Sequence, residues 1–279
     1  MFIILKENQV IELLKTSRYP NTLAQFLSVS NSLKKLILDR VDLNQARIFD
    51  VLLNQKTINI LTLMNLDVNT DVLEAFYQMI VSSNITRYAF INVMFEKLTM
   101  MDIFNFLDRL VFSNSIVDTL IFHECEYSAD FLKVLLYCVA VTKAPLQALE
   151  LTLTGDATEQ FARMISMTNT LSFLSVNAKG FQINADSDMA ILNAFKKNVT
   201  IETFEFPEDD FFYADTTKGL IQESIEYNEN HKEMFDVFRM SRPQLHGISE
   251  RKLLERYLEE EKELKEKKIR PYRLAFELV

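Results

Sequence analysis

The chain has 279 residues, of which 48% are hydrophobic and 25% are charged, and its formal net charge is −9. This mixture is typical of a folded protein and excludes a largely disordered chain. The 4 glycines are too far apart to form a phosphate-binding loop, so P-loop and dinucleotide-fingerprint enzymes are excluded. The acidic balance disfavours binding to a nucleic-acid backbone, and we expect no nucleic-acid partner.

The first 32 residues precede a repeated region. Apolar residues at helical spacing predict short helices at 7–15 and 22–29, separated by Pro20. Because the end of a repeat stack needs a cover, residues 1–32 are predicted to form an N-terminal helical cap.

From residue 33 onward, a six-residue phrase recurs with apolar residues at its first, fourth and sixth positions. It begins at residues 33, 58, 85, 117, 146, 171 and 201, with an average spacing of 28 residues. An amphipathic helical pattern, as in residues 71–82, lies between successive phrases. The pattern predicts about seven strand–helix units over residues 33–212, which bury their apolar faces by stacking on one another.

The Leu-x-x-Leu-x-Leu form of the phrase, its spacing and the apolar residue five positions beyond it resemble the leucine-rich repeat proteins of the long, ribonuclease-inhibitor-like type. The resemblance covers residues 22–212 and implies an α/β solenoid with a parallel inner sheet and outer helices. The family's usual Asn or Cys, three residues beyond the phrase, is present only as Cys125. This departure affects the side-chain ladder expected beneath the turn, not the solenoid.

Several asparagines stand a residue or two after a helical stretch. They are Asn31, Asn84, Asn114, Asn169 and Asn198. Because Asn tolerates the left-handed conformation that ends many helices, we predict that they are C-caps.

Residues 213–279 are predicted to form a C-terminal helical cap and a charged tail, with helices at 217–240 and 249–268. The tail carries a glutamate cluster at Glu259, Glu260, Glu261 and Glu263, followed by basic residues and an apolar end. This arrangement resembles a C-terminal type IV secretion signal, which implies delivery of a bacterial effector into the host cytosol. A solvated helix with Glu–Lys pairs explains the same residues, and the sequence leaves both readings open.

No catalytic, metal or cofactor site is predicted. His123, Glu124 and Cys125 are the only cluster of metal-capable residues, and two further ligands at suitable spacing are lacking. We expect His123 to be exposed and Cys125 to be buried. The 2 cysteines, the absence of an evident signal peptide and the absence of a long apolar run favour a cytoplasmic protein without membrane insertion.

The concave face of the inner sheet is where this architecture usually binds, and it is the predicted partner-binding surface. Basic residues lie at its start, acidic residues at its end and apolar residues between them, as protein interfaces often have. The predicted binding residues are Lys35, Arg40, Met64, Arg87, Ile91, Asn92, His123, Glu124, Glu150, Phe173 and Glu205. A second apolar surface is predicted on the convex side, with Met101 and Phe112 pointing outward.

The sequence therefore predicts a non-enzymatic protein–protein interaction module, monomeric when free, that binds a protein partner on its concave face. The secretion-signal resemblance adds the expectation of a translocated bacterial effector. The alternative is a cytoskeletal or adaptor scaffold, either actin-capping-like or presenting substrates to a ubiquitin ligase.

Overall fold

The computed structural model describes ten segments of the chain. They are residues 13–16, 20–43, 48–95, 98–113, 116–142, 145–154, 157–178, 183–205, 211–212 and 214–232.

Eight strands form a single parallel sheet in which each strand pairs with the next one in the sequence. The strands are β1 (Leu13–Thr16), β2 (Lys35–Asp39), β3 (Ile60–Asp67), β4 (Arg87–Met94), β5 (Thr119–His123), β6 (Ala148–Thr152), β7 (Phe173–Asn177) and β8 (Thr203–Glu205). A parallel sheet in strictly sequential order, with one helix after each strand, is the architecture of a leucine-rich repeat solenoid. The predicted fold class is confirmed.

A helix returns the chain from each strand to the next. The helices are α1 (Pro20–Val29), α2 (Ile48–Leu52), α3 (Thr70–Ser82), α4 (Met100–Leu107), α5 (Ala129–Val141), α6 (Thr158–Met167), α7 (Ala185–Lys197) and α8 (Asp215–Asn230), and α4 continues into a π-helical turn, Asp108–Ser113. Polar side chains begin several of them: the side chains of Asn69, Ser128 and Asn184 each accept a backbone N–H from the first turn. At α4, Thr99 and Asp102 form a complete capping box.

The strand register places the apolar positions of successive repeats in columns. Leu36 pairs with Leu61, Leu61 with Tyr88 and Tyr88 with Leu120, and all four are buried. Several strands alternate between buried and half-buried residues, so one face of the sheet meets the helices and the other stays open. Removing these side chains from water is the main term that stabilises the stack.

Phenylalanines fill the middle of the core. The ring centroids of Phe90 and Phe122, on adjacent strands, are 5.0 Å apart and the rings are stacked. Phe95 stacks on Phe131 at 4.9 Å, which ties the loop after β4 to α5. Both pairs join neighbouring repeats, so the repeat that contains β4 is held by the repeat that contains β5.

The N-terminal region differs from the prediction. Leu13–Thr16, part of which was predicted to be helical, is strand β1, paired in parallel with β2. The predicted helix at 22–29 is present within α1. A helical cap at residues 1–32 is therefore not confirmed, because an eighth strand occupies part of the segment. The boundaries at residues 32 and 212 stay predictions.

At the C-terminal end, α8 packs beside α7. The Asp188 carboxylate is buried and accepts hydrogen bonds from the Ala214 N–H and from the Thr217 hydroxyl at 2.6 Å. This contact ties the end of the stack to the last repeat. The predicted helices beyond residue 232 lie outside the described residues.

The asparagine prediction was wrong in its mechanism. Asn31, Asn84, Asn169 and Asn198 are not among the four non-glycine residues with positive φ in the described chain, and Asn114 lies outside it. Asn198 is the C-cap of α7, as predicted, but its φ of −73° and ψ of 139° are extended and not left-handed. Its side chain is buried and accepts the N–H groups of Thr200 and Ile201, both at 2.8 Å. The side-chain amide therefore provides a hydrogen-bond acceptor for the backbone N–H groups of the turn into β8, and no left-handed backbone is involved.

Candidate functional site: the concave face

Side chains on the open face of the sheet form three columns that run across the strands. The first contains Lys35, Ile60, Arg87, Thr119, Ala148, Phe173 and Thr203; the second contains Lys15, Ile37, Thr62, Ala89, Ile121, Glu150, Ser175 and Glu205; the third contains Asp39, Met64, Ile91 and His123. Strand spacing in a sheet is about 4.8 Å, so side chains of one column on adjacent strands are immediate neighbours. The columns make one continuous surface.

All eleven predicted binding residues are described, and the structure brings them to this face or to its carboxyl edge. Lys35, Arg87 and Phe173 lie in the first column, Glu150 and Glu205 in the second, and Met64, Ile91 and His123 in the third. Arg40, Asn92 and Glu124 each directly follow a residue of the third column, and Asn92 is still within β4. Their role as a binding surface stays a proposal.

Near the carboxyl ends of β2, β3, β4 and β5, one residue of each repeat has an unusual backbone conformation. Arg40, Asn65, Asn92 and Glu124 have φ of 56°, 51°, 52° and 52°, at the same position of four successive repeats. The left-handed conformation costs a residue with a β-carbon about 1 kcal/mol. It turns the chain so that the next residue (Val41, Leu66, Val93 and Cys125 in turn) is buried in the core. The sequence does show a pattern at these positions, a polar residue just before a buried one. Arg and Glu do not favour positive φ, however, so the pattern did not predict the left-handed conformation.

A hydrogen-bonded ladder runs along this edge. The Asn92 amide donates to the Asn65 Oδ1, and the Asn65 amide donates to the Asp39 Oδ1, both at 2.7 Å. The ladder ends at the Asp39 carboxylate, whose other oxygen is 3.1 Å from the Lys15 ammonium. The hydrogen bond from Asn65, followed by that from Lys15, lowers the pKa of Asp39 below its usual range. Lys15 was missed as a surface residue because its segment was predicted to be a helix.

On the fifth and sixth strands, His123 Nδ1 lies 2.5 Å from Glu150 Oε1. His123 is exposed as predicted, and Cys125 is buried, with its thiol donating to the Phe90 carbonyl. Burial raises the pKa of the Cys125 thiol to about 12, so it is neutral at physiological pH. Within the described segments, no group of three or more His, Cys, Asp or Glu side chains could hold a metal ion.

Thr62 is more deeply buried than its place on the open face predicts. It lies in the second column between Ile37 and Ala89 but is only 5% exposed. The centre of the concave face is therefore packed more closely than side-chain alternation alone predicts.

The convex side carries apolar residues on α4. Met101 is 67% exposed, as predicted, and Met100 and Phe104 also point outward at 54% and 48%. Phe106, on the same helix, is fully buried. The Phe112 side chain lies outside the described residues.

The described chain contains no helix long and apolar enough to cross a membrane. No family model and no curated protein matches the sequence. Among solved structures, the chain is similar to leiomodin-1 actin-binding site 2 (15% identity, TM-score 0.46, covering 62% of this chain and 95% of that chain). It is also similar to the tropomodulin C-terminal domain of Caenorhabditis elegans (10% identity, TM-score 0.29, covering 77% and 95%). The leucine-rich repeat architecture rests on the strand order, register and buried columns of the chain itself.

Proposed function

We propose that this chain is a non-enzymatic protein–protein interaction module that holds a protein partner on its concave face. One observation carries the proposal: half-buried apolar side chains and exposed charged ones share a continuous surface that no helix covers in the described chain. Ile60, Met64 and Ile91 are half-buried at the centre, and Arg40 and Arg87 are exposed beside them. Apolar centres with polar, arginine-containing surroundings are typical of protein interfaces.

The experiment is capture of partners from eukaryotic lysate, identified by mass spectrometry, with the full chain and a triple variant, Arg40→Glu, Arg87→Glu and Ile91→Asp. The variant places like charges and a desolvated carboxylate against the partner, and it should lose capture. None of the three residues is buried, so the melting temperature should stay close to that of the parent chain. Retained capture by a folded triple variant contradicts the proposal.

Three parallel arms separate the alternatives. The variant Met101→Glu with Phe104→Glu tests the convex apolar surface on α4, and a chain ending at Arg242 tests the C-terminal segment. Co-sedimentation of the full chain with filamentous actin tests the cytoskeletal scaffold. A partner lost in either of the first two arms but kept by the triple variant would move the binding site off the concave face.

We extend the proposal to delivery into a host cell as a bacterial effector, cytoplasmic before and after transfer. It is supported by Glu259, Glu260, Glu261 and Glu263, which lie outside the described residues. A reporter enzyme fused to residues 249–279 should enter host cells in a manner that depends on a type IV system. Replacing the four glutamates by Ala should abolish entry; unchanged entry contradicts this extension and leaves the binding proposal intact.

A further inference from the structure

The concave face is divided into two halves of opposite charge. In the three columns, the charged side chains of β1–β4 are Lys15, Lys35, Asp39 and Arg87. Arg40, Asp42 and Asp67 lie beyond the columns, toward the carboxyl edge of the sheet. In the columns of β5–β8, the carboxylates are Glu150 and Glu205 and the nitrogen base is His123. Glu124 and Glu126 follow β5 toward the carboxyl edge. A partner that spans the sheet therefore meets positive charge first and negative charge second.

Ion pairs reduce the positive charge of the first half without cancelling it. Asp39 is shared by Lys15 at 3.1 Å and Arg40 at 3.9 Å, and Arg87 lies 3.4 Å from Asp118. Within the described segments, Lys35 has no carboxylate in ion-pair range. In the columns, the three cations Lys15, Lys35 and Arg87 thus face two carboxylates, Asp39 and Asp118. The pairs are exposed enough for a partner's carboxylates to compete for the cations.

The basic half also carries most of the apolar side chains on this face. Ile37, Ile60, Met64, Ala89 and Ile91 are half-buried and adjacent through the strand register. The acidic half is more polar in its second column, where Glu150, Ser175 and Glu205 follow one another. We therefore expect an apolar side chain of the partner to be buried on the basic half of the face, beside the cations, and not on the acidic half.

We propose, on the basis of the proposed function, that the concave face recognises a protein segment with carboxylates next to apolar side chains at one end and basic side chains at the other. From β3 to β6 there are three strand spacings of about 4.8 Å, so the two charge groups of the partner lie about 14 Å apart. That separation corresponds to about 10 residues of an α-helix. A nucleic acid or an anionic membrane does not fit, because the acidic half repels phosphates.

The test is selection of random 20-residue peptides displayed on phage, with the full chain as bait. The selected peptides should place Asp or Glu beside apolar residues at one end and Lys or Arg at the other. Lys35→Glu with Arg87→Glu, and separately Glu150→Lys with Glu205→Lys, should weaken their binding at least tenfold. A chain with all four changes should select peptides in which the apolar residues accompany Lys or Arg.

Matched controls change the same charge on the helices. Arg163→Glu with Lys196→Glu is the control for the Lys35 and Arg87 variant, and Glu223→Lys with Glu229→Lys is the control for the Glu150 and Glu205 variant. All four control residues are exposed, on α6, α7 and α8. Peptide binding should change less than twofold in both controls, and the melting temperatures of all variants should establish that they are folded. Raising salt from 50 to 300 mM should weaken binding of the selected peptides.

Failure to select any peptide, or selection of peptides without this charge order, overturns the inference. If peptides without this charge order are selected and still fail to bind the triple variant at Arg40, Arg87 and Ile91, the proposed concave-face function stands and the proposed partner chemistry is wrong. If selected peptides bind all face variants equally but lose the Met101→Glu, Phe104→Glu variant, both proposals fail. If the chain associates with itself and no peptide is selected, the inference is also overturned, because the concave face is then occupied by a second copy of the chain.

Discussion

At the scale of single residues, Asn65 has a backbone feature and a side-chain feature that substitutions can separate. It has a positive φ of 51°, and its side chain both accepts from Asn92 and donates to Asp39. Asn65→Ala removes both hydrogen bonds and places Ala in a left-handed conformation, which should lower the free energy of unfolding by about 2 kcal/mol. Asn65→Gly loses the same bonds but fits the backbone, so its cost should be smaller.

Urea denaturation of the two variants measures this order directly. In an ordinary strand, Gly is worse than Ala because of its greater backbone freedom in the unfolded chain. Finding Gly less stable than Ala at position 65 would show that the left-handed turn does not govern this site.

Asp39 should give the chain a specific response to acid. Its pKa is lowered in the folded state by the hydrogen bond from Asn65 and by Lys15, so the unfolded state binds the proton more readily. The stabilisation is present above the ordinary carboxyl pKa of about 3.9 and is lost as the pH falls toward the lower, folded value. Between pH 6 and pH 3, Asp39→Asn should therefore lose less stability than the parent chain. Parallel pH profiles of the urea midpoint would contradict this role.

At the scale of elements, the alternation along a strand decides which substitution the sheet tolerates. Leu120 is fully buried and Ile121, its neighbour on β5, is half-buried on the concave face. Leu120→Asn buries an amide and leaves a void, which should cost about 3 kcal/mol or more. Ile121→Asn should cost about 1 kcal/mol, and equal melting temperatures of the two variants would show that the assigned faces are reversed. Thr62 would be a poor control for such a comparison, because it is buried although it lies on the open face.

The turns from helix to strand offer a second matched pair. Asn198 directly follows α7, is buried and satisfies two N–H groups of the following turn. Asn169 lies one position further from the end of its helix, after the Thr168 C-cap of α6, and is exposed. Asn198→Ala leaves those groups without their acceptor and should lower the free energy of unfolding by about 2 to 3 kcal/mol. Asn169→Ala should change it by less than about 0.5 kcal/mol. A similar loss for both asparagines in urea denaturation would mean that burial of the amide is unimportant.

The periodic leucines predicted the sheet, and the prediction of secondary structure failed where that periodicity stops. Leu36, Leu61 and Leu120 lie in one buried column, as their positions in the phrase require. β1 is only four residues long and lacks the complete phrase, so its pairing with β2 had no local signal. Eight of the eleven candidate residues lie in the columns and three directly follow them, as alternation along a strand predicts. The Asp39–Asn65–Asn92 ladder, in contrast, depends on contacts between residues that lie 26 and 27 positions apart in the chain.

At the scale of the whole molecule, the central claim is that the open side of the sheet, not the helical side, contacts a protein. His123 on β5 and Tyr137 on α5 belong to the same repeat, lie on opposite sides and are 46% and 51% exposed. A photoreactive benzoylphenylalanine placed at each position in separate chains, and irradiated in eukaryotic lysate, compares the two sides in one repeat. We expect a specific protein to be crosslinked from position 123, to be lost on addition of excess unlabelled chain, and to be absent from position 137. A specific crosslink from position 137 with none from position 123 would contradict the account.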